Sequence, residues 1–135
     1  MTQNEKDLLL QDICSRLPYG VKVQLSYKIP LKLLSIGVNG SAWVTGDKGY
    51  PFEIDWSNCK PYLFPMSSMT EEDHAIYSKI WEDTGKTAYL EGCHHLISTI
   101  KAYKAANDFL LSKHYDINGL IPKDLAIDAT GLNIY

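Results

Sequence analysis

Apolar and polar residues along the chain change period twice, and the changes divide it into three parts. Over residues 1–19 the spacing is helical: Leu10, Ile13, Cys14 and Leu17 fall on one face. Thr2, with Glu5 three residues on, predicts a capping box at the helix start. Leu17-Pro18-Tyr19-Gly20 ends the helix, because Pro18 disfavours helical geometry at the residue before it. Over residues 20–64 the period falls to two. Val21, Val23, Leu25 and Tyr27 alternate with Lys22, Gln24, Ser26 and Lys28, which predicts a half-buried strand interrupted at Ile29-Pro30. Leu31 to Val38 and Ser41 to Thr45 predict two more strands, joined at Asn39-Gly40 as a hairpin. Beyond the turn Gly46-Asp47-Lys48-Gly49, a fourth strand alternates Tyr50, Phe52, Ile54 and Trp56 with Pro51, Glu53 and Asp55. Lys60 to Phe64 adds a short fifth, expected at an exposed edge where it is free to pair with a second copy.

Residues 65–135 return to helical spacing. Thr70-Glu71-Glu72-Asp73 has the capping-box form, and Ala75, Ile76, Ile80 and Trp81 supply an apolar face out to about Asp83. A loop is expected over Thr84 to Gly92. A long helix then runs from near His95 or Ser98 to His114, with Ile100, Tyr103, Ala106, Phe109 and Leu110 inward. After the Asn118-Gly119 turn the tail is irregular, yet Leu125, Ile127 and Leu132 are apolar enough to pack on the body. The pattern predicts one α+β domain: a small antiparallel SH3-like barrel or curled sheet, flanked by an N-terminal helix and two C-terminal helices.

Composition narrows the partners. The 135 residues carry 13 Lys plus Arg against 16 Asp plus Glu, a formal net charge of −3. A domain held on a nucleic-acid backbone normally has excess positive charge, so nucleic acid is disfavoured. Arg16 is the single arginine, which weakens phosphate recognition further. A local patch from Lys22, Lys28, Lys32 and Lys48 is the one feature that would revive it. No run of about 18 apolar residues spans a membrane. Leu8-Leu9-Leu10 is too short for a signal-peptide core, so the expected location is the cytoplasm. The three cysteines Cys14, Cys59 and Cys93 are odd in number and widely spaced, as expected of free thiols.

Chemistry-bearing residues are present without a chemistry-bearing pattern. Cys93-His94-His95 is the densest cluster, with His74, Cys59 and His114 as additions. Zinc needs about four converging ligands in paired spacings, and neighbouring residues point apart, so no metal or other cofactor is expected. Neither Cys59 nor Cys93 has a surround that would make an oxyanion site, and a catalytic cysteine or metal protein is the remote alternative. The acidic residues at 71–73 are explained by a helix start, and Glu53, Asp55, Asp116 and Asp124 by solvated or turn surroundings. No phosphate-binding glycine loop occurs. No enzymatic activity is expected.

The aromatics favour binding instead. Trp43, Tyr50, Phe52, Trp56, Tyr62 and Phe64 all lie in or beside the strand region. Trp43, Phe52 and Ile54 suit the barrel core, while Tyr50, Trp56 and Tyr62 are candidates for a binding surface. Lys60 to Thr70 sets an apolar segment between Pro61 and Pro65, followed by Met66 and Met69. It reads as an extended connection and, alternatively, as a partner-binding segment centred on Tyr62, Phe64 and Met66.

Leu17-Pro18-Tyr19-Gly20-Val21-Lys22-Val23, Lys60-Pro61-Tyr62-Leu63 followed by Pro65-Met66-Ser67-Ser68-Met69-Thr70-Glu71-Glu72, and the run from His114 to Ala126 around Gly119-Leu120-Ile121-Pro122-Lys123 form a recurring set. In these strings the chain resembles a family of short proteins encoded in Bacteroidales genomes, often in prophages and other mobile elements. The resemblance implies a small intracellular accessory protein and carries no activity or catalytic residue with it. The family commonly has a basic residue before Pro-Met-Ser-Ser, where this chain has Phe64. Together these features point to a non-enzymatic protein-interaction module, with a nucleic-acid-associated SH3-like protein as the alternative.

Overall fold

The computed structural model describes residues 1–26, 29–47, 49–90 and 95–135. Helix α1 (Gln3–Arg16) leads through a short 3-10 turn into strands β1 (Lys22–Gln24), β2 (Leu31–Ile36), β3 (Ser41–Thr45), β4 (Phe52–Asp55) and β5 (Lys60–Leu63). Helices α2 (Glu71–Leu90) and α3 (His95–Ser112) follow, and β6 (Ile127–Asp128) lies near the end of the chain. The six strands form one curled half-barrel sheet in the order β4-β3-β2-β1-β5-β6, antiparallel except for the β5–β6 pair.

The capping box at α1 forms as expected: the Thr2 hydroxyl accepts from Glu5 N at 3.2 Å, and the Glu5 carboxylate accepts from Thr2 N at 2.7 Å. The buried face is a different one from that expected. Leu9, Asp12, Ile13 and Arg16 point inward, while Cys14 is exposed and Leu10 and Leu17 are half-buried. A stripe counted in apolar residues alone misses this face because two of its four members are charged. Arg16 Nε and Nη2 donate to the two Asp12 carboxylate oxygens at 2.7 and 3.0 Å, so the charges enter the core as a pair.

The core joins Leu9 and Ile13 to Val21, Val23, Leu33, Ala42, Val44, Cys59, Leu63, Leu120 and Leu125. On β3 the inward residues are Ala42 and Val44, so Trp43 points outward and is 42% exposed, contrary to the expected core role. Phe52 pairs with Val44 yet is also exposed, at 43%; of the expected core residues Trp43, Phe52 and Ile54 only Ile54 packs against the core. Ala42 is fully buried in the close-packed core cluster, which leaves no room there for a side chain of tryptophan size.

Strand β5 is not an edge. Pro61, Tyr62 and Leu63 are buried, with β1 on one side and β6 on the other. The Leu63 carbonyl accepts from Ala129 N at 2.8 Å, so the peptide groups of Leu63 and Pro61 face β6. Pairing with β6 begins only at Tyr62, so the N–H that Pro61 lacks is not needed by the ladder. Beyond β5 the strand continues as a bridge, with Phe64 N donating to His114 O and Asp116 N donating to Phe64 O, both at 2.8 Å.

Helix α2 runs on to Leu90, across the stretch expected to be a loop, because it lies along α3 and tertiary packing outweighs weak local propensity. Among the described side chains of α3 the buried ones are Ala102, Ala106, Leu110 and Leu111, while Ile100 and Tyr103 are exposed. The small alanines mark the face of close approach. The α3 helix stops at Ser112, two residues before the expected end. In the tail, Leu125 is buried and Ile127 pairs in β6, whereas Leu132 is half exposed. Among the described residues no helix is long and apolar enough to cross a membrane.

Arg16→Ala leaves the Asp12 carboxylate buried without its counter-charge and should destabilise the fold by about 3–5 kcal/mol in urea unfolding. Replacing both members (D12L/R16M) should recover at least half of that loss. A single variant within about 1 kcal/mol of the parent would show that the pair is hydrated rather than buried.

Candidate functional site

Helix α3 ends in a Schellman arrangement: Tyr115 N donates to Leu110 O and His114 N to Leu111 O, both at 3.0 Å. The residue that turns the chain is His114, at φ 65°, where glycine is the common choice. A side chain held in the left-handed region costs about 1 kcal/mol, and here the imidazole gains a packing partner. Its ring stacks on Tyr135 with centroids 3.6 Å apart and planes within 10°. The Tyr135 hydroxyl in turn donates to Tyr62 O at 2.8 Å and accepts from Lys22 N at 3.0 Å, clamping the tail across β1 and β5.

His114, Tyr115 and Tyr135 wall a cleft of about 440 Å³ between the end of α3, the start of α2 and the tail. Phe64 lies against both other rings, 6.4 Å from Tyr115 and 6.1 Å from Tyr135. The Tyr115 hydroxyl donates to Asp73 Oδ2 at 2.7 Å. Thr70 caps α2 by accepting from Asp73 N at 3.1 Å, so only half of the expected capping box forms and the Asp73 carboxylate turns to Tyr115. Burial, and then Asp73 itself, push the Tyr115 phenol up to about 12, so it remains a donor at neutral pH. Burial also pushes Tyr135 up to about 12. His114 is moved the other way, down to about 4, by burial first and then by the positive charges of Arg16 and Lys22. Its buried Nδ1 has no hydrogen-bond partner among the described residues.

The expected binding residues do not form one site. Tyr50 is 93% exposed beside β4, and Trp56 is half-buried against the core. Tyr62 is enclosed, its hydroxyl donating to Gln24 Oε1 at 2.9 Å. Phe64 faces the cleft, and Met66 is exposed in the 3-10 turn that follows. The sheet order places Tyr50 four strand intervals from Phe64. Sequence reasoning missed Asp73, Tyr115 and Tyr135 as neighbours of Phe64. The one local signal was a helix ending in His114 where glycine usually stands.

Other candidate chemistry is dispersed. Cys59 is buried, its Sγ donating to Trp56 O, and burial pushes the thiol up to about 12. Cys93 and His94 lie outside the described residues, as do Lys28 and Lys48 of the lysine patch. Lys22 and Lys32 are cross-strand partners, but the Lys22 ammonium is already bound to Ile134 O at 2.9 Å. Among the described residues no group of three or more His, Cys, Asp or Glu is placed to hold a metal ion. Asp116 accepts from Leu120 N and Ile121 N, a structural role.

On the opposite half of the sheet, the outer face of β2 and β3 is open. Trp43 pairs with Ser35 and Glu53, and the irregularity between Leu33 and Ser35 sets Leu34 on the surface close by, 42% exposed. Comparison with known protein families, curated proteins and solved structures finds no match.

His114 binds its proton less readily folded than unfolded, so stability is fully present above pH 6.5 and is lost as pH falls towards 4. His114→Asn, which tolerates the left-handed backbone, should flatten that part of a stability-against-pH curve. An unchanged slope would assign the acid sensitivity to other groups. With a thiol reagent at neutral pH, Cys14 should label in the folded protein and Cys59 only on unfolding, as peptide mapping would show.

Proposed function

We propose that the protein is a non-enzymatic protein-interaction module that uses the outer face of β2 and β3 around Trp43. The observation that supports this reading is the orientation of Trp43. A tryptophan fixed mid-strand and 42% exposed loses little conformational freedom on contact and offers a large apolar surface. Interfaces concentrate their binding energy in such anchors. Leu34 extends the apolar patch, and Glu53, directly across from Trp43, gives it a charged rim. The buried, weakly acidic Cys59 argues against cysteine nucleophilicity at that position. The resemblance to proteins of prophages and mobile elements adds an accessory role inside a bacterial cell to this reading.

A tagged pull-down from bacterial lysate, with and without nuclease, tests it. The expected result is a protein partner that survives nuclease and whose capture falls at least about 10-fold with Trp43→Ala, the loss typical of a truncated anchor. Because Trp43 faces away from the core, the variant should fold like the parent. Capture that disappears with nuclease would overturn the proposal and favour a nucleic-acid role.

A further inference from the structure

The cleft beside His114 is separate from the Trp43 face, and its chemistry is of one kind. Three aromatic rings, Phe64, Tyr115 and Tyr135, touch in series along it. The imidazole of His114 closes one side as a neutral ring, stacked on Tyr135. Asp73 supplies a carboxylate whose Oδ2 is taken by Tyr115, while Oδ1 accepts no hydrogen bond from the described residues. The Ser68, Thr70 and Ser112 side chains add hydroxyls at the walls.

Charge decides what such a cleft can hold. The start of α2 would ordinarily suit an anion, but its first turn carries Glu71, Glu72 and Asp73, which repel one. The buried Arg16 charge below is matched by Asp12, and the Lys22 ammonium, held on Ile134 O, keeps its charge but lies outside the lining. Among the described residues Lys113 is the one lysine or arginine on the lining, and it is exposed to solvent. Aromatic faces attract cations through their quadrupoles, and a nearby carboxylate adds direct attraction.

The geometry points to a binding site for an organic ammonium group in the cleft formed by Phe64, Tyr115, Tyr135, His114 and Asp73. The cationic head rests against the aromatic walls with Asp73 Oδ1 as its counter-charge. Either a free small amine or the side chain of a partner's lysine supplies that group. The volume of about 440 Å³ admits a ligand of choline size or somewhat larger.

Titration of the whole chain with choline, followed by NMR at His114, Tyr135 and Phe64, tests the site. Nα-acetyl-lysinamide is the second probe, and 3,3-dimethylbutan-1-ol serves as the uncharged analogue of choline. One or both cations should bind, and the alcohol should bind at least about 10-fold more weakly, a loss of about 1.4 kcal/mol. Tighter binding of choline would identify a free amine as the source, and tighter binding of the lysine derivative a partner's side chain. Asp73→Asn keeps an acceptor for Tyr115 and should weaken the cation about 10-fold without affecting the alcohol. Phe64→Leu should weaken the cation while thermal unfolding reports an intact fold. Equal binding of cation and alcohol, or no binding of either cation, would overturn the proposal.

Discussion

The contact on which the assembly depends is the ion pair inside α1. Asp12 and Arg16 have no exposed side-chain surface, and a guanidinium cannot shed its charge to enter a core. It must therefore be partnered there, and the partners come from the far end of the chain. Arg16 Nη2 donates to Tyr115 O at 2.8 Å, and Asn118 Nδ2 donates to Asp12 Oδ1 at 2.8 Å. The pair thus fixes the turn that follows α3 against the N-terminal helix. That turn carries His114 and Tyr115, so the walls of the cleft are placed by a contact made beneath them.

The same turn organises the sheet. Phe64 exchanges backbone hydrogen bonds with His114 and Asp116 of that turn, and Ala129 completes the run on Leu63. A strand expected at an exposed edge becomes an interior strand because a distant segment covers it. Tyr135 then ties the tail over β1 and β5 through one hydroxyl that both donates and accepts.

Local signals were legible in the sequence where local chemistry decides. The Thr2 capping box, the five short strands of residues 20–64 and the α+β class follow from spacing and turn residues alone. Faces were less legible. Alternation along Ser41 to Thr45 marks two faces without saying which is inward, and the larger residue, Trp43, was the wrong guide. On α1 a charged pair occupies positions that apolar counting assigns to the surface, and on α3 small alanines displace Ile100 and Tyr103 from the core side. The cleft was hidden for another reason: Phe64, Asp73, Tyr115 and Tyr135 meet only through long-range folding. Nothing in their spacing announces that meeting.

The parallel pairing of β5 with β6, and the bridge from Phe64 to Tyr115, have a consequence for synthesis. A nascent chain released in order from the ribosome can form α1 and the β2–β3–β4 meander early, since those contacts are near in sequence. The central strand and the buried arginine stay without their final partners until the segment from Tyr115 to Ala129 has emerged. Closure is therefore a late event, and a stalled or truncated chain would present a β5 edge without β6 and an Asp12–Arg16 pair lacking its hydrogen bonds to Tyr115 and Asn118 to the cell's proteases and chaperones.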